Sequence, residues 1–197
     1  MKPQQIWELC PSSKGYLTLI PDDLDYFQTH FIGKPMCHNW QTPPVEIYGK
    51  SLKLGDFIGW MLRAPVISEK AKRILEPFIS PYVEFLPFIE LRGKQFFALN
   101  VIELVDCLDK KKSTIRYAPD DPTYILSIGN FFFDAQRVKN VPIFKVAEYP
   151  MPVFVTHQFV EAIVKNKLRG AAFADPSIEP FGRIMSGDPL NTVDGVT

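Results

Sequence analysis

The sequence predicts an α+β fold: a mostly antiparallel central sheet carrying two strand-helix-strand units, with a smaller N-terminal region packed on it. Three observations lead there. Short runs of aromatic and β-branched residues, too brief for helices, recur through the chain and are punctuated by 18 prolines and 11 glycines. Two segments carry the apolar spacing of amphipathic helices. These segments also sit in matching surroundings, because Val66, Ile67 and Ser68 recur 88 positions on as Phe154, Val155 and Thr156, and Phe85 recurs as Phe173.

Taken in order, residues 16–20 read as a strand. A helix or turn over 22–31 follows, with Leu24, Phe27 and Phe31 on one face, Asp22, Asp23 and Asp25 in its first turn, and Gly33 ending it. Pro43 and Pro44 precede a strand over 45–48. In the first unit Ser68 caps a helix whose inward stripe is Ala71, Ile74, Leu75, Phe78 and Ile79, and Pro77 must kink or end it. A strand over 83–89 follows, then a buried strand over 95–104 closed by a polar turn at 106–113. Further strands are expected over 124–128, 130–133 and 142–146. In the second unit Thr156 caps a helix with Val160, Ile163, Val164 and Leu168 inward, and Gly170 is placed for a left-handed C-cap. The domain boundaries this implies are 1–60 for the N-terminal region, 61–176 for the core and 177–197 for a tail.

Lysine plus arginine equals aspartate plus glutamate at 22 each, so no global positive field exists to hold a nucleic acid or an anionic membrane. Cys10, Cys37 and Cys107 are odd in number and lack CxxC spacing, which points to neither a disulfide framework nor a zinc ribbon. Prolines and charges interrupt the first twenty residues where a signal peptide would need an apolar stretch, and no run is long enough to span a bilayer. These features place the protein in the cytoplasm.

The chemistry-bearing residues are few. Cys37 beside His38 is a poor nucleophile-base pair, since neighbours in extended chain point apart. His157 has no ligand partner at helical spacing and reads as a surface residue. Glu103, Asp106 and Asp109 could bind a cation or serve a hydrolase as acid and base, but a capped turn explains them more simply. Phosphate-loop, dinucleotide, zinc-protease and acyl-transfer signatures are absent, and neither a catalytic nor a metal-binding residue is assigned. Asp22, Asp23, Asp25, Asp120 and Asp121 could face a basic partner, and Trp40 is a residue type that anchors interfaces.

The elements VIS at Val66 to Ser68, VEFLP at Val83 to Pro87, LNV at Leu99 to Val101, DCLD at Asp106 to Asp109, FVT at Phe154 to Thr156 and LRGAAF at Leu168 to Phe173 stand in an order that resembles the immunity protein eleven family. The resemblance covers roughly residues 64–176. It implies an α+β protein, without catalysis or cofactor, that neutralises a cognate toxin domain by direct binding. An adaptor that loads a secretion system is the alternative from a different class.

Overall fold

The computed structural model describes residues 5–12, 15–23, 26, 29–48, 53–60, 64–178 and 191–192. The first half runs β1 (Ile6–Pro11), β2 (Thr18–Pro21), β3 (Val45–Tyr48), β4 (Phe57–Trp60), β5 (Val66–Ser68), α1 (Glu69–Ile79) and β6 (Val83–Leu91). The second runs β7 (Lys94–Val101), β8 (Leu104–Val105), β9 (Ile115–Tyr117), β10 (Ile125–Ile128), β11 (Ile143–Val146), β12 (Tyr149–Thr156), α2 (His157–Lys165), β13 (Ala171–Ala174) and β14 (Asn191–Thr192).

The fold is α+β, rich in strands, with two α-helices set out in full among the described residues. The single central sheet expected from the sequence is instead two six-stranded sheets, ordered β3-β2-β4-β5-β7-β6 and β14-β13-β1-β12-β11-β8, with a separate β9–β10 hairpin. Each strand-helix-strand unit returns its second strand one place away from its first, so each needs a strand between them. The first unit takes β7, antiparallel to both β5 and β6; the second takes β1, antiparallel to both β12 and β13. Each half therefore donates its first strand to the other half's sheet, and closing a sheet around each unit divides the strands in two.

The repeat seen in the sequence extends to the register. Ile67 faces Phe97 and Phe85 faces Leu99; 88 positions on, Val155 faces Trp7 and Phe173 faces Leu9. The outer strands follow suit, with Phe57 opposite Ile67 and Ile143 opposite Val155. Even the two parallel pairs correspond, Thr18 with Gly59 and Leu104 with Lys145. Residues 1–60 thus supply β1 to the middle of one sheet and β2, β3 and β4 to one side of the other.

Apolar burial joins the halves. Leu75 and Ile79 of α1, Phe159 and Ile163 of α2, Phe57, Ile67 and Leu99 of one sheet and Leu9, Val155 and Phe173 of the other share one core. The opposite face of the second sheet carries Phe144, Val146 and Phe154 under a second core of Cys107, Leu108, Ile128, Phe131 and Val138. The chain between β8 and β11 provides that cover. Its counterpart between β2 and β4 lays Trp40 against Phe31 and Phe88.

Ser68 caps α1 as expected, its Oγ accepting from the Ala71 N–H at 3.2 Å. Ala71, Leu75 and Ile79 are buried, and the helix ends two residues past Pro77. Thr156 does not cap α2: its hydroxyl donates instead to the Val141 carbonyl at 3.1 Å, drawn away by the cover segment beside it. Gly170 is not the C-cap either, since α2 ends at Lys165 and Asn166 caps it. Its φ of +97° and an ideal Cβ 1.8 Å from the Phe57 carbonyl oxygen make it the residue that lets the two halves touch. The strand over 95–104 breaks into β7 and β8, and the one over 130–133 is reduced to an isolated bridge between Leu108 and Phe133. The helix or turn over 22–31 lies partly outside the described residues, although Tyr26, Thr29 and His30 are helical.

Candidate functional site

The β9–β10 hairpin stands on the cover of the second sheet and brings together two of the acidic residues singled out from the sequence. Ile128 buries one side of it in the second core, and its base is tied by the Gly129 N–H to the Thr114 carbonyl at 2.9 Å and by the Thr114 N–H to Asn130 Oδ1 at 2.7 Å. At the tip Asp121 Oδ1 accepts from the Thr123 N–H at 2.8 Å and the Thr123 hydroxyl at 2.6 Å. These bonds, the hydroxyl's first, hold the Asp121 carboxyl below the usual carboxylate range and keep it charged. Asp120 beside it is exposed.

The other side of the hairpin is apolar and open at Tyr124, 61% exposed, and Leu126, 41% exposed, which flank Ile125 and point away from the core; Tyr117, 40% exposed, is paired with Ile125 and shares its face. Exposed tyrosines flanked by carboxylates are the residue types that anchor and steer a protein interface. Read along the sequence as an isolated strand, residues 124–128 do not set Tyr124 and Leu126 beside Asp120 and Asp121. The signal was present in the turn-forming PDDP between two strand-like runs, which marks a hairpin.

The remaining candidates are dispersed. Asp22 and Asp23 are exposed at the end of β2, and Asp23 Oδ1 accepts from the Tyr26 N–H at 3.1 Å; Asp25 lies outside the described residues. Trp40 is half-buried, its ring against Phe31 and Phe88, and its indole N–H donates to the Pro87 carbonyl at 2.6 Å. Its donor thus serves the fold.

Two of the three candidate acid-base carboxylates, Asp106 and Asp109, are engaged in ion pairs and hydrogen bonds. Asp106 and Asp109 line one shallow depression that Glu103 does not share. Arg137 holds Asp106 at 2.5 Å, and Lys112 holds Asp109 at 3.0 Å. The Lys112 contact, supported by the Lys111 and Lys112 N–H groups, lowers the Asp109 pKa, the wrong direction for a proton donor at neutral pH. Cys37 is exposed, but its hydrogen bond to Glu84 raises the thiol pKa; burial pushes Cys107 up to about 12. Both favour the thiol over the reactive thiolate. Among the described residues, no cluster of three or more His, Cys, Asp or Glu is arranged to hold a metal ion, and no helix is long and apolar enough to cross a membrane.

A protein-family model described as "Immunity protein family (Imm11)" matches residues 33–177. That span holds both helices and the strands from β3 to β13. No curated protein matches the chain.

Proposed function

The chain belongs to the immunity protein family Imm11, and from that premise we propose that it neutralises a cognate secreted toxin in the cytoplasm by direct, stoichiometric binding, without a catalytic step of its own. The observation that carries this reading is the family match over most of the chain. The paired state of Asp106 and Asp109 and the protonated thiols support a binding role over a hydrolytic one. On this reading the β9–β10 hairpin is part of the toxin-binding surface, with Tyr124 and Leu126 as anchors on its open face and Asp120 and Asp121 steering approach. A lasting inhibitor of a lethal protein requires a sizeable interface, on the order of 1,200 to 2,000 Å² in total.

The test uses the toxin domain encoded beside this chain. Titration should abolish toxin activity near one equivalent and give a co-eluting complex; protection far below one equivalent would instead identify an enzyme acting on the toxin or its product. Within that complex, Asp120→Lys with Asp121→Lys should slow association more than it speeds release. An unchanged association rate would remove the hairpin tip from the interface.

A further inference from the structure

A cleft of about 690 Å³ lies where the two halves meet, bounded by the start of α1, the start of β7 and the loop from Asn166 to Arg169. Five cationic side chains line it, Lys70, Arg73, Lys94, Lys167 and Arg169, against the carboxylates of Asp56 and Glu69. Asp56 is occupied by the structure: its carboxylate accepts from the Arg169 N–H at 3.0 Å, from Lys70 at 3.4 Å and from the Ser68 hydroxyl at 3.3 Å. Among the described residues, Arg73, Lys94, Lys167 and Arg169 take part in no ion pair. Converging like charges repel one another, and an anion between them relieves that cost.

The internal repeat provides a control. If these cations served only to start a helix or join a loop to a strand, the other half would need them too. Carrying the register across by 88 positions sets Lys70 against Gln158, Arg73 against Glu161 and Arg169 against Pro81. None of the three counterparts is cationic, although the strands around them keep the same register. The charge is therefore separable from the scaffold.

We infer that this cleft binds an extended acidic segment of the protein partner; this rests on the immunity reading and deepens it by naming the partner's chemistry at a surface apart from the hairpin. Spaced carboxylates suit cations spread over three elements, and the guanidinium groups of Arg73 and Arg169 can take carboxylates in a bidentate fork. A dense phosphate would meet Glu69 and Asp56 at close range, and the chain's neutral total charge gives a nucleic acid backbone no wider field to follow.

A fluorescein-labelled oligoglutamate peptide, followed by anisotropy at low salt, tests the site in the full chain. The peptide should bind, weaken as salt rises, and lose about tenfold or more in affinity with Arg73→Glu plus Lys94→Glu. Arg73→Gln plus Lys94→Gln should give a smaller loss and keeps the test valid if the reversed variant does not fold. Absent binding, or binding that neither variant weakens, overturns the inference. So does tighter, variant-sensitive binding of an oligonucleotide of equal charge, which would make the ligand a phosphate. A toxin complex that forms with the wild type and is unaffected by both variants overturns the inference and leaves the immunity reading standing. If no toxin complex forms even with the wild type, the immunity reading fails, and the toxin is lost as occupant whatever the peptide does.

Discussion

The two halves of this protein keep the same strand register and differ in nearly everything laid upon it. At one equivalent pair of positions the first half has Gly59, where an ideal Cβ would lie 2.2 Å from Thr18 Oγ1, and the second has Lys145, fully buried, its ammonium donating to the carbonyls of Phe31 and Pro150. One half closes its sheet by omitting a side chain; the other uses a long one to fasten the first half's cover. Both covers rest on aromatic rings, Trp40 against Phe31 and Phe88 in one and Phe131 and Phe133 against Phe154 in the other, but among the described residues the second alone raises an exposed hairpin. Backbone pairing is thus duplicated while surface chemistry diverges, so features found in one half alone are the ones to examine for function.

The strand exchange makes the sharpest break in that comparison. Removing residues 1–12 takes the central strand from the second sheet and should abolish cooperative unfolding of the whole chain, because the shared core contains Leu9 as well as residues of both sheets. A milder version, Leu9→Ala, should cost about 2 to 5 kcal/mol by thermal or urea denaturation. A truncated chain that still melts cooperatively would show that the halves fold independently of the exchange.

The helix starts allow a finer comparison. Ser68→Ala should destabilise by about 0.5 to 2 kcal/mol through the lost cap. Thr156→Ala removes a hydrogen bond to the Val141 carbonyl, worth about 0.5 to 1.5 kcal/mol. It should therefore loosen the cover around Val141, seen as faster amide exchange there, and leave the start of α2 unchanged. Faster exchange at the first turn of α2 would restore Thr156 as a cap.

The smallest effect concerns pH. Glu84 holds the first cover by accepting from the Met36 N–H at 2.8 Å and from Asn100 Nδ2 at 2.8 Å. Burial is the largest influence and raises its pKa, but the hydrogen bonds from Cys37, Met36 and Asn100 together leave it lowered. A lowered folded-state pKa contributes stability that is complete above the ordinary glutamate range and is lost as pH falls through the folded value. Glu84→Gln should flatten the acid limb of the stability curve. The second half has Ala172 at the equivalent place and no such dependence is expected from it. An acid limb identical in the wild type and the variant would remove Glu84 from this role.

Local chemistry explains what could be read in advance. Hydrophobic spacing, the Ser68 cap and β-branched runs are properties of neighbouring residues, so α1, β3, β5, β6 and β11 were legible. The acidic residues at 120 and 121 were visible too, but their placement beside Tyr124 and Leu126 depended on a hairpin pairing that was not drawn from the sequence.

The α+β class, the two strand-helix-strand units, their repeat and the resemblance to an immunity family are legible along the chain, since each rests on local spacing or residue order. The exchange of β1 and β7, the formation of two sheets where one is expected, and the gathering of Lys70, Arg73, Lys94, Lys167 and Arg169 in one cleft emerge in the folded chain alone. The difference is one of range. Strand pairing and charge convergence join residues far apart in the chain, and the free energy that selects them comes from burying a core shared by both halves, which no single stretch of sequence contains.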